Sequence, residues 1–307
     1  MEIFILIISL LFFGKFLRII DAFPENTSQV LNQFVIYVSL PALVLLTVPK
    51  LEFTADLIIT AVVPWIVLFF SAALLILFSN IFKWPRNTLG ALLLIVPLGN
   101  TSFIGVPMVR AFYGDDPVVY ALIYDQLGTF LALAIYGSVV LALFNKDNKF
   151  EVKHISGKDI LVKIILFPPF ISLVIAIFLH FIDLPIIYFQ LLKPIAMTLL
   201  PVVMIAVGFQ LVLKIEYDKI MPFIVGLSIK MFIAPALVLL LFILIGFKGT
   251  IYQVTVFEAA MPPMITAGAL AIMAGLSPKL TASMLAYGLL LSFISLPFFY
   301  AVANAFL

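Results

Sequence analysis

Pro97-Leu98-Gly99-Asn100-Thr101-Ser102-Phe103-Ile104-Gly105-Val106-Pro107 sets three polar side chains between two prolines inside a long apolar run. Asn100, Thr101 and Ser102 offer hydrogen-bond donors and acceptors. Each proline lacks an amide hydrogen and clashes with the preceding turn, and glycine is conformationally loose. A straight helix is therefore not expected here. The stretch Phe257-Glu258-Ala259-Ala260-Met261-Pro262-Pro263-Met264-Ile265-Thr266-Ala267-Gly268 repeats the theme, with a doubled proline and a carboxylate one turn before it. Unwound backbone within a bilayer survives only where protein or a watery cavity surrounds it. Broken helices with polar residues at the break suit solute binding. Their half-helix N-termini favour anions and their carbonyl ends favour cations. The plainer reading is a proline kink whose Ser, Thr and Asn side chains bond back to the helix or to a neighbour.

Two acids lie well inside apolar segments. Glu258 reads as a cation ligand, as a proton carrier, or as a structural partner for a basic group such as Lys230, because an intramembrane carboxylate is costly. Asp125, between Tyr124 and Gln126, reads either as a hydrogen-bonded packing residue or as part of the site. Arg110 is near enough to a surface to snorkel, and Gln210 and Gln253 read as polar glue between helices.

The elements that must hold these residues follow from composition. The chain has 307 residues, 65% hydrophobic and 10% charged, with a mean hydropathy of +1.29. Soluble domains are nearer about 45–50% apolar and about 25% charged. This is an all-α polytopic membrane protein. Cysteine is absent and the two histidines, His154 and His180, are peripheral, which leaves no thiol nucleophile and no histidine metal cluster. A formal charge of +2 gives no reason to expect nucleic acid as a partner. The 31 phenylalanines and the methionines read as lipid-facing or packing side chains. The N-terminus has no positive n-region, so the first apolar run is read as a retained helix.

At about 20 apolar residues per span, ten transmembrane helices are expected, near 2–20, 28–48, 56–82, 87–112, 117–144, 160–181, 186–213, 220–246, 250–274 and 279–305. With the N-terminus outside, the cytoplasmic connections gather Lys15, Arg18, Lys83, Arg86, Lys146, Lys149, Lys153, Lys158, Lys214, Lys219 and Lys279. Only Lys50, Arg110, Lys193 and Lys248 fall on the other side. Both termini are thus expected outside the cytoplasm, in a multi-pass cell membrane protein. The halves also match each other. Leu40-Pro41-Ala42 answers Leu200-Pro201-Val202, Lys50-Leu51-Glu52-Phe53 answers Lys214-Ile215-Glu216-Tyr217, Pro97 answers Pro262, and Asp116-Pro117 answers Ser277-Pro278. Because five is odd, the copies are inverted: residues 1–145 and 160–307 as two five-helix repeats joined by a short cytoplasmic loop, 146–159. The broken spans 4 and 9 are expected to cross near mid-bilayer.

Gly99 through Pro107, with Phe112-Tyr113-Gly114-Asp115, resembles the fourth-span signature of the auxin efflux carrier family, the PIN-like membrane transport proteins. Ala260-Met261-Pro262-Pro263 resembles its ninth-span signature, and Asn32 through Pro41 and Phe167-Pro168-Pro169 also fit. The resemblance implies a scaffold domain of helices 1, 2, 6 and 7, a transport domain of helices 3–5 and 8–10, an elevator motion, and export or import of organic anions. Some members are homodimers. It places Pro97, Asn100, Pro107 and Pro262 at the crossover. Two features depart from the plant members: the central loop is short, and Gly99 precedes Asn100 where they run proline straight into asparagine. Glu258-Ala259-Ala260-Met261 is similar, more distantly, to the ninth-span opening of bacterial bile-acid sodium symporters, where the glutamate ligates sodium.

The expectation is a secondary transporter for a small organic anion bearing a carboxylate. Pro97, Gly99, Asn100, Thr101, Ser102, Pro107, Pro262, Pro263 and Thr266 hold the solute, with freed backbone amides as further donors and apolar side chains of helices 2 and 7 over its body. Glu258, with the carbonyls of Ala259 and Met261, and Asp125 with Gln126 handle a coupling ion, sodium or a proton. No other cofactor is expected. Rival readings are a sodium-coupled symporter of the bile-acid type and an intramembrane aspartyl-type enzyme built on Asp125 and Glu258. A channel fits less well, since it needs a continuous polar lining.

Overall fold

The computed structural model describes residues 2–21, 23–51, 54–144, 157–210 and 219–307. These form helices α1 (Glu2–Ile19), α2 (Thr27–Lys50), α3 (Asp56–Phe82), α4 (Arg86–Ile95), α5 (Val106–Tyr113) and α6 (Val118–Phe144). There follow α7 (Gly157–Ile165), α8 (Pro168–Leu179), α9 (Ile186–Gln210), α10 (Ile220–Ile245), α11 (Thr250–Ala259), α12 (Ile265–Met273) and α13 (Pro278–Phe306). Among the described residues there is no β-strand, and six helices, α2, α3, α6, α9, α10 and α13, are long and apolar enough to cross a membrane. Large apolar side chains such as Phe12, Phe69, Phe178, Leu244 and Ile294 stand exposed on the helices, as a lipid solvent permits. Most of the expected loop 146–159, and the Glu52-Phe53 and Lys214–Tyr217 parts of one repeat match, lie outside the described residues.

Proline explains most departures from straight helices. The sixth expected span, 160–181, is two helices instead of one: Pro168 and Pro169 cannot donate amide bonds, and Phe167 before them is extended, with φ −72° and ψ 118°. Pro41, Pro107 and Pro235 each follow a widened π-helical turn that ends two residues earlier, Val35–Ser39, Thr101–Gly105 and Ile229–Ile233. Widening the turn relieves the clash between the proline ring and the carbonyl of the preceding turn.

The chain divides into two compact units. One comprises residues 1–54, 102–122 and 163–211. In it α1 packs against α9 at backbone distance, because a Cβ on Gly14 would fall 2.2 Å from the Ile205 carbonyl oxygen and one on Gly208 would fall 2.0 Å from that of Leu11. Ser39 and Thr198 share a hydrogen bond of 2.7 Å, and the Tyr188 hydroxyl donates to the Leu45 carbonyl at 2.8 Å. The other unit comprises residues 55–101, 123–162 and 212–307. Its apolar core surrounds α4: Ala91 through Val96 are buried with Leu75 of α3, Met231 of α10, Ala271 of α12 and Met284 of α13. The Thr60 and Thr255 hydroxyls, 3.0 Å apart, tie α3 to α11.

Candidate functional site

Both expected breaks are present, and they pair with each other within the second unit. Residues 96–100 separate α4 from the π-helical turn at Thr101, and residues 260–264 separate α11 from α12. The Asn100 amide donates to the Pro262 carbonyl at 2.8 Å, and the Met264 amide donates to the Leu98 carbonyl at 3.0 Å, which makes an antiparallel bridge between Gly99 and Pro263. This answers the demand that buried peptide groups find partners. It also alters one expectation. Freed backbone amides are expected to stand bare for a solute, but those of Asn100 and Met264 are taken up by the opposite break. Leu98 and Met264 seat the bridge in a small apolar cluster with Leu68, Ala132 and Ala267.

Each break orphans a carbonyl one turn before its proline. In the first, Pro97 has no amide hydrogen for the Leu93 carbonyl, and the Tyr136 hydroxyl donates to it instead at 3.0 Å. In the second, Pro262 has none for the Glu258 carbonyl, and the Met261 amide reaches it at 3.1 Å through a tighter turn. Gly288 of α13 makes room for the doubled proline, since a Cβ there would lie 2.4 Å from Pro263 Cδ.

Polar side chains gather around the bridge. Asn100 is 3% exposed, and its side-chain nitrogen has no hydrogen-bond partner among the described residues. Thr101 is buried and donates to Asp125 Oδ1 at 2.6 Å, while Gln126 Nε2 donates to Oδ2 at 2.7 Å. Asp125 is thus a hydrogen-bonded anchor that fixes Thr101 at the first break. That is the hydrogen-bonded packing role, and it sets the acid beside the first break. Gln126 keeps an unpartnered carbonyl oxygen among the described residues. Glu258 is 0% exposed, neither carboxylate oxygen has a hydrogen-bond partner among the described residues, and the group lies within electrostatic reach of Asp125, Lys230 and Tyr124. Ala259, Met261, Pro97, Gly99, Pro262 and Pro263 are all buried at or beside the bridge.

The remaining expected residues are placed differently. Thr266 is exposed in the first turn of α12. Ser102, half-buried, and Pro107, buried in the first turn of α5, belong to the other unit, since the division falls between Thr101 and Ser102. Arg110 pairs with Asp115 at 2.6 Å, an ion pair whose acid is largely exposed. Lys230 is the residue that sequence reasoning underrated. It is 1% exposed, in a π-helical turn of α10, and a Cβ on Gly99 would sit 3.0 Å from its Nζ. Its charge deep inside an apolar segment is the signal that points to it.

A solute-sized group carrying acceptors would find in this geometry the Asn100 side-chain nitrogen, which has no partner among the described residues, at a helix break. Such an arrangement suits the binding of a solute group. Comparison with known proteins agrees: the sequence profile of a family described as membrane transport protein matches residues 1–300. The chain belongs to the membrane transport protein family. The resemblance to the auxin efflux carriers, carried by Gly99–Pro107 and Ala260–Pro263, is thereby borne out over nearly the full length. A transporter of Methanocaldococcus jannaschii, named as uncharacterized, is similar at 27% identity over 292 residues, which is 92% of each chain. Another of Methanothermobacter thermautotrophicus, named likewise, is 24% identical over 297 residues, 95% of this chain and 94% of its own. This membrane transport protein is a transporter among transporters, and its candidate site lies where its two interrupted spans meet.

Proposed function

We propose that this protein is a secondary carrier for a small organic anion bearing a carboxylate, and that the anion binds beside the bridge between residues 97–101 and 260–264. The observation that carries the reading is Asn100, a buried side chain whose nitrogen has no partner among the described residues and which sits at the bridge itself. An unpaired buried donor is costly unless a ligand satisfies it. Thr101, held by Asp125, Ser102 and Thr266 are the further hydroxyls assigned to the solute, and Pro97, Gly99, Pro107, Pro262 and Pro263 shape the breaks.

Ten spans in two inverted repeats, 1–145 and 160–307, accommodate the two broken spans as corresponding members. The division into two compact units supports a scaffold that stays and a transport body that moves as an elevator, with residues 102–122 grouped in the first unit. Both termini outside, a location in the cell membrane and a homodimer complete the proposal. A second reading, a sodium-coupled symporter of the bile-acid type with Glu258 and the Ala259 and Met261 carbonyls as ligands, is favoured by one observation: the Glu258 carboxylate oxygens are buried with no hydrogen-bond partner among the described residues.

The test is a thermal-shift screen of the purified protein against a carboxylate library, since a ligand that prefers the native state raises its melting temperature. Carboxylates that stabilise the protein and fail to stabilise Asn100→Ala support the reading. Equal stabilisation of both proteins removes Asn100 from the site.

A further inference from the structure

Lys230 has no part in the reading above. It is 1% exposed, in the π-helical turn Ile229–Ile233 of α10, a helix long and apolar enough to cross a membrane. Turns of this kind are frequent at functional positions. An ionisable side chain buried in such a helix is expensive, and it marks a solute or ion path by default. The geometry around Gly99 shows where the ammonium stands. The point at which a Gly99 side chain would begin lies 3.0 Å from Lys230 Nζ, 3.4 Å from Thr101 Cγ2 and 3.5 Å from Met261 Cβ. The ammonium therefore reaches the seam between the two breaks. It lies against the residue that precedes Asn100 and pairs with Pro263 in the bridge. Glycine at that position leaves it room, because a Cβ 3.0 Å away is closer than side chains ordinarily pack.

Donors around the bridge are few. Thr101 and Gln126 each give a hydrogen bond to Asp125, and the Asn100 and Met264 amides are taken by the opposite break. The Asn100 side-chain nitrogen is left, and it is uncharged. A carboxylate that sheds its water here loses far more than one neutral hydrogen bond returns, unless a cation meets it. It would also join two buried acids, Asp125 and Glu258. Among the described residues Lys230 is the one buried base. Its ammonium carries three donors on a flexible stem. We propose that Lys230 is a binding residue of the anion site, whose ammonium takes the charge of the solute's carboxylate beside Asn100. Asn100 then recognises an acceptor oxygen, and Lys230 recognises that the oxygen belongs to an anion. This deepens the reading of the site as an anion carrier and rests on it.

Benzoate and benzamide separate the two roles, since they share a shape and an acceptor oxygen and differ in charge. The full chain is purified in detergent, and its melting temperature is followed against the concentration of each compound at neutral pH and constant ionic strength. Wild type binds benzoate more tightly than benzamide. Lys230→Met lowers benzoate affinity about tenfold or more, to the level of benzamide, and leaves benzamide within about threefold of wild type. Gly99→Ala keeps the charge and crowds the ammonium. It lowers benzoate affinity more than benzamide affinity, and it carries the test alone if Lys230→Met does not fold. Asn100→Ala weakens both compounds. A Lys230→Met or Gly99→Ala protein that keeps the wild-type preference for benzoate, while Asn100→Ala weakens both, overturns the role of Lys230 and leaves the anion site standing. A wild type with no preference for benzoate overturns it too. A lysine that is only structural shifts the melting temperature of the unliganded protein and leaves the preference intact.

Discussion

The two interruptions do similar jobs with different materials. The break at residues 96–100 is repaired by side chains: Tyr136 caps the Leu93 carbonyl, and Asp125 holds Thr101. The break at 260–264 is repaired by backbone: the Met261 amide caps the Glu258 carbonyl, and a doubled proline supported by Gly288 fixes the turn. On the proposed reading the first therefore carries the binding chemistry and can be retuned by single substitutions. The second supplies shape and carbonyls, with its one acid set back in α11.

Substitutions that act on one break and spare the other test this contrast. The largest effect is expected for Asn100→Ala, which removes a donor without touching the bridge backbone. Affinity for a stabilising carboxylate should fall about ten- to a hundredfold, as expected for a hydrogen bond to a charged group, with normal insertion and expression, read by ligand titration of the melting temperature. Next comes Thr101→Val, which removes one hydrogen bond to the buried Asp125. It should cost about 1.5–3 kcal/mol of stability, measured by denaturation, because the lost bond is to a charged acceptor.

Tyr136→Phe removes the hydroxyl that caps the Leu93 carbonyl, at about 1 kcal/mol, again read by denaturation. No equivalent substitution exists for the second break, where the cap is an amide. Smallest of all is Thr266→Val. The residue is exposed in the first turn after the second break, and carboxylate affinity should change by less than about threefold. A Thr266 effect as large as that of Asn100 would overturn the assignment of chemistry to the first break.

The breaks themselves were legible in the sequence, because proline and glycine act locally: Pro97 and the Pro262-Pro263 pair stop helices wherever they stand. The apolar lengths gave the helical class for the same reason. What stayed hidden depends on register between distant segments. Nothing near Tyr136 indicates that its hydroxyl serves Leu93, and nothing near Gly99 announces Lys230. The Thr101–Asp125 bond spans two elements whose relative rotation is set by π-helical turns. Of these turns, Val35–Ser39, Thr101–Gly105 and Ile229–Ile233 precede a proline, and Tyr124–Thr129, which carries Asp125, has no such sequence mark. The pairing of the Asn100 and Met264 amides was missed because each break was read alone, while buried peptide groups are satisfied between segments.

The central claim is that an organic anion sits where the two interrupted spans meet, on the donor that the bridge leaves over. An experimental density map of the protein with a carboxylate from the screen tests it most directly. The account predicts ligand density within hydrogen-bond distance of the Asn100 side-chain nitrogen, with both segments unwound, 96–100 and 260–264. Density bound elsewhere, or either segment running through as a continuous helix, contradicts it.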